Sequence, residues 1–428
     1  PVHYYQEIGR AGRNGKPTRI ILFYNESTKN ESNVAEDLTL PISFIESARP
    51  TPRKYNKVIE LLKEEPLSER ELLKKANLKM TQIRVIKADL IDQGIIKEVL
   101  YGKTKKYEYQ YNAPKLDTSL FEELREAKLR DLRAMEGYIN TDIPRMKYLC
   151  TFLDSDEMIE YNNCDNTDLP KIEVKDSEVL REKLEEFRDN YFPTLNLASY
   201  TIRKGGIRVC YTSPNSINIE NTVKDASGEV VNRPIVEHKG RINWSIYTGD
   251  EQTAIKEHLG KASKLVDGYA ASYYGVSNVG EALHRCKYEN GGDFPDFLLR
   301  KTLSVFYKKF RNLQCEVVIY VPPTNSGDLV KNFATKFARV IGVPVSHELK
   351  KTRNTQEQKI FQNTYGKQDN IAGAFEITEH IVRDKTILLL DDIYDSGSTL
   401  KEIGKLLTQK GAKCIVPLVI AKTVGGTL

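Results

Sequence analysis

The segment that most restricts this chain is Thr386–Leu400. There the apolar run Ile387-Leu388-Leu389-Leu390 ends in Asp391-Asp392, passes through Ile393-Tyr394-Asp395-Ser396-Gly397-Ser398-Thr399, and enters an amphipathic helix from Leu400 to Lys410. A continuous apolar run bounded by a turn reads as a strand buried on both faces, the pattern of a parallel sheet covered by helices. Open α/β sheets bind ligands beyond the carboxyl ends of their strands. Adjacent carboxylates at such an end can hold two sugar hydroxyls. The N–H groups of a Gly/Ser loop that opens a helix are a ready anion site. The segment therefore predicts an α/β unit that takes a polyol and a phosphate.

The chain is long enough for roughly three domains. No apolar run approaches the ~20 residues of a membrane-spanning helix, so no membrane partner is expected. Cys150, Cys164, Cys210, Cys286, Cys315 and Cys414 are scattered without a repeated spacing. That excludes a disulfide framework and fits a reducing, cytoplasmic setting. The net charge of +5 is unevenly spread: residues 52–112 carry a net +5 and residues 150–190 a net −8. The first stretch suits a phosphate backbone and the second would be repelled by one.

The acid-and-loop segment resembles the PRPP motif of type I phosphoribosyltransferases. By that resemblance Asp391 and Asp392 bind the ribose hydroxyls, and Asp395, Ser396, Gly397, Ser398 and Thr399 cradle the 5′-phosphate of PRPP carried with Mg2+. Asp395 stands where purine-type members place a base-assisting carboxylate. Upstream, Tyr273-Tyr274-Gly275, Gly280, His284-Arg285-Cys286-Lys287-Tyr288-Glu289, Thr355, Gln358, Asn370 and Ala372-Gly373-Ala374-Phe375 are similar to ComF-type domains. The pattern departs after Val317–Val321, where Pro322-Pro323-Thr324-Asn325-Ser326-Gly327 replaces an Arg-Gly-Phe-Asn-like turn. Lys350, Lys351 and Arg353, on a flexible loop, are candidates to neutralise a pyrophosphate. A Rossmann-like phosphoribosyltransferase domain is expected over 255–428. It either binds a phosphoribosyl or nucleotide ligand, the favoured reading because no base-specific hood is legible, or transfers the sugar phosphate to a base.

A second motif lies at Tyr4-Tyr5-Gln6-Glu7-Ile8-Gly9-Arg10-Ala11-Gly12-Arg13-Asn14-Gly15. Two arginines three apart would share one face of a short helix, and guanidinium groups grip phosphate oxygens in a fork. Arg19–Tyr24 reads as a buried strand. The motif resembles motif VI of superfamily 2 helicases, and specifically the RecQ family. That implies that residues 1–45 end a RecA-like motor domain, with Gln6, Arg10 and Arg13 on its ATP side and Arg13 as the arginine finger. The sequence has no Walker A loop, so the chain reads as a truncated helicase: ATP and Mg2+ would be held by an N-terminal lobe, and this part alone would not hydrolyse ATP. The implied whole is an ATP-dependent 3′–5′ DNA helicase of repair or recombination.

Residues 52–112 show three helical patterns and then two strands around a Gly102–Lys106 turn, the order of a winged helix. Lys79, Arg84 and Lys87 on the exposed face of the third helix, with Lys103, Lys105 and Lys106 on the wing, are candidate DNA contacts. The alternative is a winged helix that contacts only protein. Residues 116–190 resemble a RecQ zinc-binding subdomain that has lost its ligands: Pro144, Tyr161 and Thr167 stand in cysteine positions and only Cys164 remains. Four-coordinate zinc needs four ligands, so a zinc-free helical relic is expected, packed through Met146, Leu149, Phe152 and Leu153. Residues 195–250 read as a small β-rich module with Trp244 in its core. The overall expectation is thus an α/β multidomain chain.

Overall fold

The computed structural model describes residues 2–424 except 17, 26–33, 156–163, 168, 170–176, 203–205, 225–229, 233, 234, 276, 290, 291, 325 and 326. Tyr161, Asn325 and Ser326 lie outside the described residues. The chain divides into two compact units, residues 1–180 and 181–427.

In the first unit, α1 (Val2–Ile8) and α2 (Glu36–Ser47) precede α3 (Pro52–Glu64), α4 (Glu69–Ala76) and α5 (Met80–Asp92). The hairpin β1 (Ile96–Tyr101) and β2 (Thr104–Tyr109) follows. Ser68 caps α4 through a reciprocal box: its hydroxyl accepts from the Glu71 N–H at 3.4 Å, and the Glu71 carboxylate accepts from the Ser68 N–H at 2.7 Å. Tyr55, Leu62, Leu72, Leu73, Ile83, Ile86, Leu90 and Ile96 are all buried. The hairpin pairs Ile96 with Tyr109 and Tyr101 with Thr104, so Gly102-Lys103 alone makes the turn, tighter than the Gly102–Lys106 turn expected.

Several expectations fail here. Arg19–Tyr24 is not a buried strand: Ile20, Ile21 and Leu22 are about half exposed, and Phe23 is 85% exposed. An apolar run becomes a strand only where a sheet receives it, and none does among the described residues. Helix α1 ends at Ile8, so Arg10 and Arg13 lie in the following turns and do not share a helical face. Lys87 is not on the exposed face. It is 7% exposed, pairs with Glu69, and donates to the Tyr107 hydroxyl at 2.9 Å.

Helices α6 (Ser119–Ile139) and α7 (Arg145–Phe152) follow. The Arg145 guanidinium joins the end of α6 to the 164–167 turn. It donates to the carbonyls of Tyr138 and Ile139, the latter at 2.8 Å, and grips both oxygens of Asp165 at 2.9 Å. The Arg145 N–H meets the Cys164 sulfur at 3.4 Å. Burial works to raise the Cys164 thiol, but that N–H and the Thr167 hydroxyl outweigh it, and its pKa is lowered. Among the described residues no group of three or more His, Cys, Asp or Glu could hold a metal. Leu149 is buried, whereas Phe152, expected in the packing, is 38% exposed.

The second unit opens with α8 (Glu178–Asn190), which begins just before the boundary, and β3 (Thr194–Leu195). An antiparallel group follows: β4 (Ile207–Ser213), β5 (Ser216–Lys224), β6 (Val230–Asn232) and β7 (Val236–Lys239), with β5 pairing all three others. Helix α9 (Gly249–Lys261) shares its core of Ile207, Val209, Ile219, Tyr247 and Ile255. Trp244, expected in the core of this module, begins a 3-10 turn and packs partly buried against it.

The main sheet takes β8 (Gly268–Tyr274), β9 (Val317–Tyr320), β10 (Val345–Ser346), β13 (Thr386–Tyr394) and β14 (Cys414–Thr423) in parallel. The order is β10-β9-β13-β14-β8-β3, and β3 is antiparallel. Between these strands run α10 (Asn278–His284), α11 (Asp296–Lys309), α12 (Leu329–Ile341), β11 (Lys350–Lys351), α13 (Thr364–Ile371), β12 (Phe375–Glu376), α14 (Glu379–Val382) and, after β13, α15 (Ser398–Gln409). Alternation along β13 separates two cores. Leu388 and Leu390 pack with Leu283, Phe306, Phe333 and Phe337. Ile387 and Leu389 pack with Leu400, Ile403 and Leu407. Both faces are thus covered, as the apolar run of β13 requires.

Candidate functional site

The carboxyl ends of the parallel strands share one edge of the sheet, and the acids of β13 lie there. Asp391 still pairs with Val419 of β14, and its carboxylate accepts the Asp392 N–H at 2.9 Å. Because successive residues of a strand point to opposite faces, Asp392 turns toward the α10 layer and Asp391 toward the α15 layer. Each acid has a lysine nearby. Lys287, in a π-helical turn at Arg285–Glu289, donates to Asp392 at 2.7 Å. Only 15% of the Lys287 side chain and 9% of the Asp392 side chain is exposed. Burial pulls the Lys287 ammonium down, but Asp392 outweighs it and the net shift is upward. Burial, then the neighbouring Asp392 charge, pushes the Asp391 carboxyl up to about 8, against the pull of Lys287 and Lys351.

Lys351 donates to the hydroxyls of Thr324 at 2.6 Å and Thr355 at 3.1 Å. Burial lowers its pKa, opposed by Asp391. Lys350 and Lys351 do not form a flexible loop: as β11 they pair with Glu376 and Phe375 of β12. Arg353 caps the Ala372 carbonyl at 3.0 Å. Asn370 holds the same segment through both backbone groups of Gln356. The Gln358 carboxamide is buried with no hydrogen-bond partner among the described residues.

The loop after β13 turns at Gly397, whose φ of +73° favours glycine. A Cβ there would lie 2.9 Å from Leu197 and from the Tyr394 ring. The hydroxyls of Ser396 and Ser398 are 2.9 Å apart, and the Ser398 N–H meets the Ser396 hydroxyl at 3.4 Å. Asp395 is already engaged: Lys367 of α13 pairs with one oxygen, and the Thr423 hydroxyl donates to the other at 3.2 Å. At the end of β8, Gly280 allows α10 to start against the strand, since a Cβ would meet the Gly275 nitrogen at 2.5 Å.

Asp391, Asp392, Asp395, Ser396, Gly397, Ser398 and Thr399 thus come together on one edge, as their adjacency requires. Lys367 and Thr423 carried no signal in the sequence. Lys287 stood out only as part of a longer motif. In the first unit, Gln6 lies in α1 and Arg10 and Arg13 beyond it, all exposed; Arg10 approaches Glu7 at 3.9 Å. Of the other proposed DNA contacts, Arg84 is 66% exposed and 3.7 Å from Glu69. Lys105 pairs with Glu98 at 2.7 Å. Lys106 approaches Glu71 at 3.8 Å and donates to the Pro66 carbonyl. Lys79 is half-buried at the start of α5 and Lys103 is exposed at the hairpin tip.

The family described as phosphoribosyl transferase domain matches residues 305–424. No curated protein matches the chain. Solved structures similar to it include glutamine phosphoribosylpyrophosphate amidotransferase from B. subtilis with ADP and GMP, at 16% identity and a TM-score of 0.23, covering 48% of this chain and 36% of that one. Another is an allosteric regulatory enzyme of purine biosynthesis, at 15% identity and a TM-score of 0.23, covering 50% of this chain and 36% of that one. A third is purine phosphoribosyltransferase from Pyrococcus horikoshii Ot3, at 16% identity and a TM-score of 0.21, covering 31% and 87%. The chain therefore spans about a third of the length of the first two. No helix among the described residues is long and apolar enough to cross a membrane. Residues 305–424 are a phosphoribosyl transferase domain, and the sheet that carries it includes two strands upstream of the match, β3 from Thr194 and β8 from Gly268.

Proposed function

We propose that the second unit is a phosphoribosyltransferase that uses PRPP, and that transfer, more than simple retention of a phosphoribosyl ligand, is its work. The observation that carries this is the joining, within the matched residues, of an acid pair, Asp392 buried and Asp391 partly so, to a Gly397-led loop at one strand end. Asp391 and Asp392 would take the ribose hydroxyls. The N–H groups at the start of α15 would take the 5′-phosphate, and Lys351 would face the pyrophosphate. The bond from C1 to the pyrophosphate oxygen breaks, its electrons leaving on that oxygen, as the lone pair of a base nitrogen bonds to C1 and that nitrogen gives up its proton to solvent. Mg2+ would arrive on the pyrophosphate and supply charge neutralisation there. Asp395, tied to Lys367 and Thr423, is a poor candidate for the base-assisting role. The test is calorimetric titration of the full chain with Mg2+·PRPP, followed by pyrophosphate release with a panel of bases. Asp391→Asn with Asp392→Asn should weaken PRPP at least ~100-fold, since two charge-assisted hydrogen bonds are lost. Wild-type protein that binds no PRPP ends the proposal.

A second reading concerns the first unit, which the family match does not reach. We propose that it grips DNA as a RecQ-like helicase unit does. The three helices and hairpin of residues 52–109, with exposed Arg84 and Lys103, support DNA contact. The ATP-side roles of Gln6, Arg10 and Arg13 rest on motif resemblance. Arg13→Ala, in a protein that includes the ATP-binding lobe, should abolish DNA-stimulated hydrolysis and spare DNA binding.

A further inference from the structure

The acid pair is met on one side by an internal cation that plays no part in the transfer chemistry described so far. Lys287 reaches Asp392 from the α10 layer at 2.7 Å, across 105 residues of sequence, with both groups nearly buried. It does so from a π-helical turn, a rare conformation frequent at functional sites. Removing an ammonium from water costs several kcal/mol, which an apolar pair of the same size would avoid. Asp392 is thereby fixed, and its second oxygen is left to accept from a ligand. Lys287 also feels Tyr288 of the π turn and Asp391, while Asp391 feels Asp392, Lys287 and Lys351 of β11.

We propose that Lys287 is the positioning residue of the acid pair: its ammonium holds Asp392 in place and balances its charge, so that the two acids seat the vicinal diol of a pentose 5-phosphate without a divalent cation between them. This rests on the phosphoribosyl reading and adds the residue that makes it work. An ammonium that remains in place does what a metal ion would otherwise do, at a fixed position and without competing for solvent.

The experiment titrates the full chain with ribose 5-phosphate, with and without Mg2+, from pH 6 to 9. Wild-type protein should bind it equally with and without Mg2+. Lys287→Met should bind at least ~10-fold more weakly without metal, the scale of one lost charge-assisted contact. It should recover part of that with Mg2+, and its affinity should fall more steeply as pH rises and the two carboxylates face each other unbalanced. Lys287→Arg should stay within a few-fold of wild type. Should Lys287→Met not fold, Lys287→Gln carries the same test. Unchanged affinity, pH profile and metal dependence in the variant would make Lys287 merely structural. Tighter binding would make it a plug. Either result overturns the positioning role while leaving the phosphoribosyl reading intact. Wild-type protein that binds neither ribose 5-phosphate nor PRPP removes both.

Discussion

Lys87 in the first unit is buried and Lys287 in the second nearly so; both face a carboxylate, and they differ in what surrounds the pair. Lys87 is closed in on all sides. Glu69 pairs with it, the Tyr107 hydroxyl accepts from it at 2.9 Å, and the Tyr107 ring lies 4.2 Å below it. Lys287 faces a pair in which the second acid, Asp391, is strained by desolvation. The pH behaviour separates them. The Lys87 hydrogen bond lowers the Glu69 carboxyl, so its stabilisation is present above the ordinary Glu range and lost as pH falls. Asp391 is raised from 3.8 to about 8, so the folded state binds a proton there that the unfolded chain does not. Its stabilisation is present in acid and lost as pH rises through that window. A buried ion pair that strengthens a fold and one that serves a ligand are told apart by the group left unsatisfied beside them.

The largest effect expected from this contrast is on the closed pair. Lys87→Ala removes the buried donor of the Tyr107 hydroxyl and one of the two cations of Glu69, which is a third exposed and keeps Arg84 at 3.7 Å, a loss of about 2–3 kcal/mol. Urea unfolding followed in a fragment-resolved way, by hydrogen exchange of residues 52–109, should show that loss confined to the first unit. A loss under about 1 kcal/mol, the scale of an exposed pair, would place Lys87 with the surface lysines after all. The next effect has the opposite sign. Asp391→Asn removes a carboxyl that the fold holds against its preference, so the variant should unfold at higher temperature than wild type at pH 8. The gain should be on the order of 2 kcal/mol, since each tenfold change in proton affinity is worth ~1.4 kcal/mol and solvent relaxation discounts the whole. The gain should vanish near pH 4. Thermal melts of both proteins from pH 4 to 9 check it, and a constant difference across that range would refute the assignment of Asp391 as the desolvated acid. Greater stability with lost ligand binding is the usual trade at a built site.

What was legible in the sequence was local. The apolar run of β13, its acids and the turn into α15 lie within 24 residues of one another, and each signals its neighbour: the run demands burial, Gly397 a positive φ, the helix its start. Contacts across the chain were not: Lys287 lies 105 residues from Asp392, and Lys367 lies 28 from Asp395. The misplacement of Lys87 has a physical lesson. Ile83, Lys87 and Leu90 stand at i, i+4 and i+7, one face of a helix, so the periodicity placed Lys87 inward and only its charge suggested otherwise. Arg19–Tyr24 erred in the other direction. Its apolar residues describe what a strand would need, and no sheet among the described residues meets that need.

The smallest expected effect tests the remaining surface. If the first unit lies on a duplex, Lys103 at the hairpin tip is exposed and placed to reach a phosphate, whereas Lys105 is held by Glu98 at 2.7 Å. Removing one phosphate contact weakens binding by a few-fold, and it lowers the slope of log affinity against log salt by about 1. Lys103→Ala should show both changes in fluorescence anisotropy with a labelled duplex between about 50 and 200 mM salt. Lys105→Ala should show less of each, because its charge is already balanced within the hairpin. The comparison of these two neighbours matters more than either value. Equal losses would mean that the Glu98 pair opens on contact with DNA, and no loss at Lys103 would mean that the hairpin faces something other than a phosphate backbone.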